Sequence, residues 1–496
     1  MKDFLVKNKE KAWMKVLEAA LLFLIIETGL ALVLNRGTSQ KVIQGIMLVM
    51  IFLGLCVYAY LKSRTDNRLK IDFISLILFL GFVMRIGYCL YNNFYARNHD
   101  MGLLENIDEG SKTSYLVWLI SNHSLPDTYF NQLYHPPFSY LASALSVAIG
   151  YPLLEWKGDL FCLASLGKAS NCLATCISLY LVPKLCDETG IGKRAKEIAT
   201  ILVAFCPVFY FHSGTIIEDA FTCTFVLGEV LYTLRWEKNP TWKNTVVLAV
   251  LFGLGLMNSL ICVLPAVYTA YIFIRRLVRE KHRRDFWVKD IVFVLISFPI
   301  GLWSYVRNYI EFGIPFTYIL EQTPGNWLDR SNYSVTDRFL KFDFQELLQS
   351  PYTDPATSYN LPLTTFKTEL FDEFSFEVNS VFPYIMLIID MILTALVLIA
   401  GIVGTRKLIK EKKCAPVMLM GVIFGAFTVY SYATQPFACT MVARYYIALF
   451  VFKAIMIGAV SDSQLFGKRF SAVVRGAVLG LSMVFAGVSV SIFCLM

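Results

Sequence analysis

Residues 71–100, IDFISLILFLGFVMRIGYCLYNNFYARNHD, contain the pattern that decides the fold. The first part, 71–91, is an almost unbroken apolar run, and the rest is polar and ends in His99 and Asp100. A helix of about 20 apolar residues crosses the hydrocarbon core of a bilayer, so the run predicts a transmembrane helix. The same alternation of apolar runs and polar connectors recurs along the chain and predicts a polytopic α-helical membrane protein.

The composition supports this class of protein. Of the 496 residues, 56% are hydrophobic and 17% are charged, and the mean hydropathy is +0.56. A soluble chain of this length would carry about a quarter charged residues. The net charge of +8 arises from basic clusters beside apolar runs, as at 275–284 and 406–413. Such clusters mark cytoplasmic loops, so they argue against a nucleic-acid partner and predict which connectors lie outside.

The apolar runs predict about eleven full crossings. The short run 138–150 is interpreted as an interfacial or half-inserted helix. The stretch 244–274 has basic residues at both ends but is too short for two crossings, so a re-entrant pair of helices that breaks around Asn258 and Ser259 is expected. The predicted crossings are 16–34, 42–61, 71–91, 160–183, 197–213, 220–236, 288–309, 382–403, 415–432, 445–460 and 473–495.

The first long outer connector, 92–137, carries acids and imidazoles next to a predicted crossing. By the predicted topology, other charged residues of the outer connectors reach the same face. Carboxylates there could take a proton from a hydroxyl, and guanidinium groups could bind a phosphate. Each residue also has a structural alternative, such as a helix cap or an interface anchor. The candidates are His99, Asp100, Asp108, Glu109, Tyr134, His135, Glu218, Asp219, Arg307 and Arg444.

Several segments resemble, in order, blocks of bacterial membrane glycosyltransferases related to protein O-mannosyltransferases and aminoarabinose transferases. They are GYCLYNNFYARNHDMG (87–102), DEGSKTSYLVWLISNHSLPD (108–127), YHPP (134–137), SGTIIEDAFTCTFVLGEVLYTLRWEKNPTWKN (213–244), GLWSYVRNYIEFGIPFTY (301–318), YNLPLTTFKTELFDEFSF (359–376) and QPFACTMVARYY (435–446). The resemblance covers roughly residues 71–460. It implies the GT-C fold, here an all-α membrane protein of about 11–13 transmembrane helices with re-entrant and interfacial helices and large outer loops.

The resemblance also implies inverting transfer of a sugar from a polyprenyl-phosphate donor to an acceptor hydroxyl at the outer face. The general base of such enzymes matches Asp100, with Asp108 or Glu109 second. Glu218 and Asp219 match a second acidic pair in the pocket. Arg307 and Arg444 fit the carrier phosphate, and His99, Tyr134 and His135 fit the pocket wall. Asn258 and Ser259 stand where a lysine is expected, so Lys112 or an arginine could replace that phosphate contact.

The domains expected are a helical hairpin at 1–66, the GT-C catalytic core at 67–310 with the outer loop 92–137, a second outer, acceptor-side segment at 311–380 and C-terminal helices at 381–496. The partners implied are the lipid-linked donor, an acceptor glycan, lipid or protein, and membrane lipids. The cell membrane is the expected location. No cofactor is required, and a divalent metal on His99, Asp100, His135, Glu218 and Asp219 is an open alternative. A transporter or flippase of lipid-linked sugar, and a surface polysaccharide polymerase or ligase, are the rival functions.

Overall fold

The chain is described by a computed structural model that covers residues 2–63, 72–92, 111–130, 132–279, 283–315, 325, 328–343, 358–373, 381–410, 415–463 and 468–496. At 2–12, 283, 403–410 and 468–470 only the backbone is described. Across these ranges the regular structure is helical, apart from one isolated β-bridge between Asp329 and Phe437. The predicted all-α polytopic class is therefore confirmed.

The helices are named α1 to α19 in chain order. The first ten are α1 (Lys2–Arg36), α2 (Gln40–Ser63), α3 (Phe73–Tyr91), α4 (Lys112–Asn122), α5 (Phe138–Gly150), α6 (Leu160–Leu166), α7 (Lys168–Thr189), α8 (Lys193–Phe205), α9 (Pro207–Phe211) and α10 (Glu218–Lys238). The others are α11 (Trp242–Leu256), α12 (Leu264–Arg279), α13 (Arg283–Phe312), α14 (Val335–Leu340), α15 (Leu361–Phe371), α16 (Phe382–Lys410), α17 (Ala415–Thr434), α18 (Ile447–Asp462) and α19 (Lys468–Leu495).

Ten helical segments within the described ranges are long and apolar enough to cross a membrane, or eleven if the bent pair α8–α9 is one span. Most predicted crossings match observed helices closely, since long apolar runs leave little freedom in where a helix can lie. The short helix expected at 138–150 is present as α5, and its interfacial position stays a prediction. The crossing predicted at 220–236 corresponds to α10, which is 21 residues long and carries charged residues at both ends and Glu229 inside. Helix α10 is not among the ten apolar segments.

The expected break near Asn258 is present. Helix α11 ends at Leu256, and a 3-10 turn, Leu260–Val263, leads into α12. The Asn258 side chain donates from Nδ2 to the Glu218 carbonyl at 3.0 Å and to Thr222 Oγ1 at 2.9 Å. Those bonds hold the break against the first turn of α10, which begins with Glu218. Only the first arm is short, however: Leu260–Arg279 is 20 residues long, enough to cross alone, so the predicted pair of short arms is half right.

The centre of the bundle is built around α8 and α18. An ideal Cβ placed on Gly458 of α18 would lie 2.2 Å from the carbonyl oxygen of Ala195 in α8. Only a glycine allows two helix backbones to approach so closely, which is how helices commonly pack within membranes. The hairpin α1–α2 lies at the periphery of the bundle, and apolar side chains such as Leu32 and Phe52 are therefore exposed on it.

A buried arginine fixes the bend between α8 and α9. Pro207 has no N–H to donate to the Val203 carbonyl, so the last carbonyls of α8 need another donor. Arg85 of α3 supplies it: its guanidinium donates to the carbonyls of Val203 and Ala204, both at 2.9 Å. The same group also donates to the Gly81 and Thr175 carbonyls, so four backbone acceptors surround one fully buried charge. The bend of 52° brings the segment after α9 to the start of α10.

Candidate functional site

The acidic pair Glu218 and Asp219 begins helix α10 and is buried. Carboxylates in the first turn of a helix interact favourably with its dipole, which explains why the sequence tolerates two of them there. The pair follows the 3-10 turn His212–Gly214, so one short connector places an imidazole and two carboxyl groups at the same end of the bundle.

Lysine and histidine side chains contact Glu218. Lys112 Nζ lies 3.1 Å from Glu218 Oε2, and His135 Nδ1 lies 3.5 Å from Glu218 Oε1. Lys112 is the first residue of α4, which begins with a capping box between Ser111 and Ser114. Although burial opposes ionisation, the charge of Lys112 and the hydrogen bond from His135 hold the pKa of Glu218 well below its usual range. This carboxyl group is therefore ionised at neutral pH.

Asp219 is shifted in the opposite direction. Burial and the neighbouring charge of Glu218 raise its pKa to about 6, and this rise is only partly offset by the charges of Arg444, Lys112 and His212. Among the described residues its Oδ2 has no hydrogen-bond partner. Two adjacent carboxyl groups with opposite shifts are typical of sites where one group holds a charge and the other exchanges a proton.

Arg444 closes another side of the site. It lies in a 3-10 turn, Ala443–Tyr446, between α17 and α18 and is buried. Its Nε is 3.0 Å from Glu373 Oε1, and its Nη2 donates to the Tyr445 hydroxyl at 2.8 Å. A guanidinium is a side chain well suited to binding phosphate.

The residues that follow α15 complete the site. Asp372 Oδ2 is 3.1 Å from His212 Nε2, and both side chains are buried. Asp372 has a φ of 57°, in the left-handed region that residues other than glycine rarely adopt. A strained backbone of this kind is often found at functional sites, where surrounding contacts hold it. Nearby, burial lowers the pKa of Lys367 to about 7, despite the opposing charges of Asp372 and Glu373.

These side chains form one connected group, here called the polar cluster: Lys112, His135, His212, Glu218, Asp219, Lys367, Asp372, Glu373 and Arg444. It joins α4, the turn before α5, the α9–α10 connector, the end of α15 and the α17–α18 connector. Such a concentration of buried ionisable groups in a chain with few charges indicates a functional site.

The structure brings together four of the predicted site residues, namely His135, Glu218, Asp219 and Arg444. Tyr134 is adjacent: its ring lies 5.4 Å from the ring of His135. Arg307 instead pairs with Glu311 at 2.8 Å and donates to the Pro126 carbonyl, neither of which belongs to the cluster. The predicted residues His99, Asp100, Asp108 and Glu109 lie outside the described residues.

Sequence reasoning missed several members of the cluster and gave Lys112 only a substitute role. His212, Lys367, Asp372 and Glu373 were not predicted as site residues. All four occur next to or within segments quoted for the resemblance, and charged residues are sparse in this chain, so their positions carried a signal. What the sequence could not supply was the pairing of His212 with a residue 160 positions away.

The described residues contain no group of three or more His, Cys, Asp and Glu side chains arranged to hold a metal ion. Of the five metal ligands proposed from the sequence, His99 and Asp100 are not among those residues. In the polar cluster, carboxyl groups pair with lysine, arginine and histidine side chains. The cluster can therefore bind charged groups and transfer protons.

Comparison with known proteins places the cluster in a family context. Residues 166–303 match the family described as dolichyl-phosphate-mannose-protein mannosyltransferase. The matched segment contains His212, Glu218 and Asp219 and runs from the end of α6 into α13. A search of curated proteins finds no match. The family match, which covers less than a third of the chain, confirms the predicted resemblance to GT-C membrane glycosyltransferases. The apolar helices support a multi-pass membrane protein.

Proposed function

We propose that this chain is an inverting glycosyltransferase that moves a sugar from a polyprenyl-phosphate donor to an acceptor hydroxyl. The observation that supports this most is the buried polar cluster. In it an ionised Glu218 and a proton-exchanging Asp219 lie in the field of Lys112 and Arg444. Cations suit the phosphate of the donor, and a carboxyl group with a pKa near neutrality suits proton transfer from a hydroxyl.

The reaction would take place on the extracytoplasmic face of the cell membrane. The cluster is assembled from connectors that the distribution of lysine and arginine predicts to be outside. A lipid-linked donor would enter from the bilayer with its phosphate at this level, and the acceptor would come from the aqueous side. The acceptor is a glycan, a lipid or a protein that presents a hydroxyl group. The segment 311–380, which includes α15, would contact it.

The proposed chemistry is a single displacement. A carboxylate takes the proton of the acceptor hydroxyl, and the oxygen attacks the anomeric carbon of the sugar. The bond from that carbon to the phosphate oxygen breaks, and polyprenyl phosphate leaves with the bonding electron pair. Since attack and departure occur on opposite faces, the anomeric configuration inverts.

Asp100 is the proposed base, with Asp108 or Glu109 as the second choice, and Asp219 is the described carboxyl group best suited to replace it. Lys112 and Arg444 would hold the departing phosphate, because positive charges stabilise the charge that develops there. Glu218 would keep Lys112 in place at 3.1 Å. His99, Tyr134 and His135 would form the wall around the sugar.

The experiment is donor hydrolysis or transfer by purified protein in nanodiscs. A panel of polyprenyl-phosphate sugars is incubated with acceptor extracts, and release of polyprenyl phosphate is followed by mass spectrometry. Wild type, Asp100→Asn and Asp219→Asn are compared with Asp187→Asn as the matched control, since Asp187 is exposed and pairs with Lys196. We expect release by wild type and Asp187→Asn, and a loss of about 100-fold or more when the base is removed.

The outcomes separate the proposals. Full activity of Asp100→Asn with loss in Asp219→Asn would move the base to the polar cluster. No release from any donor, together with counter-flow of lipid-linked sugar in vesicles, would replace the transferase by a flippase. Retention of the donor's anomeric configuration in the product, determined by nuclear magnetic resonance, would reject the single displacement. A product that grows by repeated units would point to a polysaccharide polymerase.

A further inference from the structure

A second site lies apart from the polar cluster, where the hairpin α1–α2 meets the core. An open cavity of about 540 Å³ is bordered there by α1, α2, the end of α3, the segment before α6, and α6 with the start of α7. No residue of the polar cluster lines it. Its volume falls in the range of roughly 300–1,000 Å³ that ligand pockets occupy. Much of its wall is apolar, including Leu30, Leu34, Ile43, Leu90 and Phe161.

One side of the cavity is built from buried polar groups. Lys168, the first residue of α7, lines it and is 4% exposed. Its Nζ donates to the Asn92 carbonyl at 2.9 Å, and within the described chain no carboxylate lies within 4 Å of it. Ser165 also lines the cavity and is 1% exposed, and its Oγ has no hydrogen-bond partner among the described residues.

Among the described residues, this buried ammonium has no carboxylate partner and this buried hydroxyl has no hydrogen-bond partner. Both are costly to bury, and such groups near a membrane usually serve a ligand. The other charged side chain in the wall, Asp159, is exposed and serves as a helix cap. Its Oδ1 caps α6 by accepting from the backbone N–H groups of Phe161 and Cys162. The buried charge of the cavity is therefore positive, and the ligand it fits carries an anion.

We propose that this cavity binds a membrane phospholipid through its phosphodiester. The phosphate would accept hydrogen bonds from Lys168 Nζ and Ser165 Oγ, and the first part of an acyl chain would pack against the apolar wall. The rest of the lipid would continue along the exposed apolar faces of α1 and α2. Trp156, exposed beside the mouth, fits the level of the lipid headgroups.

Binding here would also brace the polar cluster. Asn92, whose carbonyl accepts from Lys168, donates from Nδ2 to the Gly214 carbonyl at 2.9 Å. Gly214 closes the turn that holds His212. Two hydrogen bonds thus connect Lys168, which would hold the lipid anion, with the connector that precedes the acidic pair. This proposal does not depend on the sugar donor or on the acceptor.

The test is native mass spectrometry of the delipidated full chain in detergent. Three probes are added separately: phosphatidylglycerol, a diacylglycerol with the same acyl chains, and inorganic phosphate. A charge-assisted hydrogen bond is worth about 1.5–3 kcal/mol, so wild type should retain one phosphatidylglycerol about ten-fold or more tightly than the diacylglycerol. Inorganic phosphate at millimolar concentration should not displace it.

Two variants address the wall and the charge separately. Val33→Trp fills the cavity from α1 and should abolish retention, whereas Leu32→Trp, at the exposed neighbour that does not line it, should not. Lys168→Met should remove the preference for phosphatidylglycerol over diacylglycerol. Equal retention of both lipids by wild type would overturn the proposal, as would retention by Val33→Trp at the wild-type level. Displacement of the lipid by inorganic phosphate would show a site for a free anion instead.

Discussion

Asp219→Asn should make the stability of the protein less dependent on pH, and the sign follows from the raised pKa of the carboxyl group. In an unfolded chain an aspartate titrates near 4, whereas burial and Glu218 raise the pKa of Asp219 to about 6 in the folded protein. Between these two values the folded chain holds a proton that the unfolded chain has lost. The free energy of unfolding therefore falls as pH rises from about 4 to about 6, and it is constant above that range.

The magnitude follows from the same shift. Two pKa units correspond to about 3 kcal/mol, which is an upper bound because Glu218 titrates together with its neighbour. The asparagine side chain has the same shape but cannot ionise. At pH 4 the variant should match wild type, and at pH 7.5 it should be more stable by up to about 3 kcal/mol. Since one kcal/mol moves the Tm of a large domain by a few degrees, a rise of several degrees is expected.

The measurement is thermal unfolding in detergent, followed by the intrinsic fluorescence of tryptophan. The chain suits this assay, because Trp236 is fully buried and becomes exposed on unfolding. Wild type, Asp219→Asn and the exposed control Asp187→Asn are scanned from pH 4 to pH 8 at one heating rate. Parallel curves for wild type and Asp219→Asn would refute the reasoning, since they would mean that Asp219 ionises as it does in the unfolded chain.

Further substitutions test other parts of the structure by the same thermal assay, and the last of them also by the transfer assay in nanodiscs. Arg85→Met removes the side-chain donor of the Val203 and Ala204 carbonyls at the end of α8 and should cost about 3–5 kcal/mol. The partly exposed Arg235→Met should cost no more than about 1 kcal/mol. Equal losses would contradict the role of Arg85 at the α8–α9 bend. Gly458→Ala should lower the free energy of unfolding by about 1–3 kcal/mol, because the added methyl group pushes α18 away from α8. In the control Gly421→Ala the methyl group meets open space, so the stability should not change. Similar Tm values for the two variants would reject the close packing of α8 and α18. Asp372→Gly should relieve the strained backbone but lose the contact with His212. Glycosyl transfer should therefore fall while the stability stays close to that of wild type. Unchanged transfer would mean that the contact between Asp372 and His212 does not contribute to the reaction.

The helices could be predicted well because each rests on a local pattern. A run of about 20 apolar residues has few alternatives to a spanning helix, and the position of Asn258 indicated the break between α11 and α12. The length of the second arm was misjudged because α12 continues to Arg279, through residues that were taken for a basic loop. Basic residues can continue a helix beyond the membrane, so the local sequence alone does not predict where the helix ends.

The site was predictable only as far as topology could group its members. Counting crossings placed Glu218, Asp219, His135 and Arg444 at one face, and they do meet. The same counting placed Arg307 there too, yet its guanidinium is held by Glu311 and the Pro126 carbonyl. Topology predicts only the side of the membrane on which a residue lies. It does not predict the position of that residue within the plane of the membrane, so two residues on the same side need not be in contact.

The polar cluster shows why its electrostatics could not be assigned from the sequence. Glu218 and Asp219 are adjacent in the chain, and as isolated residues their pKa values would be nearly equal. Lys112 comes from a connector more than 100 positions away, and it lies against Glu218. Because the first carboxyl group is then held ionised, its charge adds to burial in raising the pKa of the second. The pKa values of the two carboxyl groups therefore diverge only after folding, and a change at Lys112 should alter the pKa of Asp219 as well as that of Glu218.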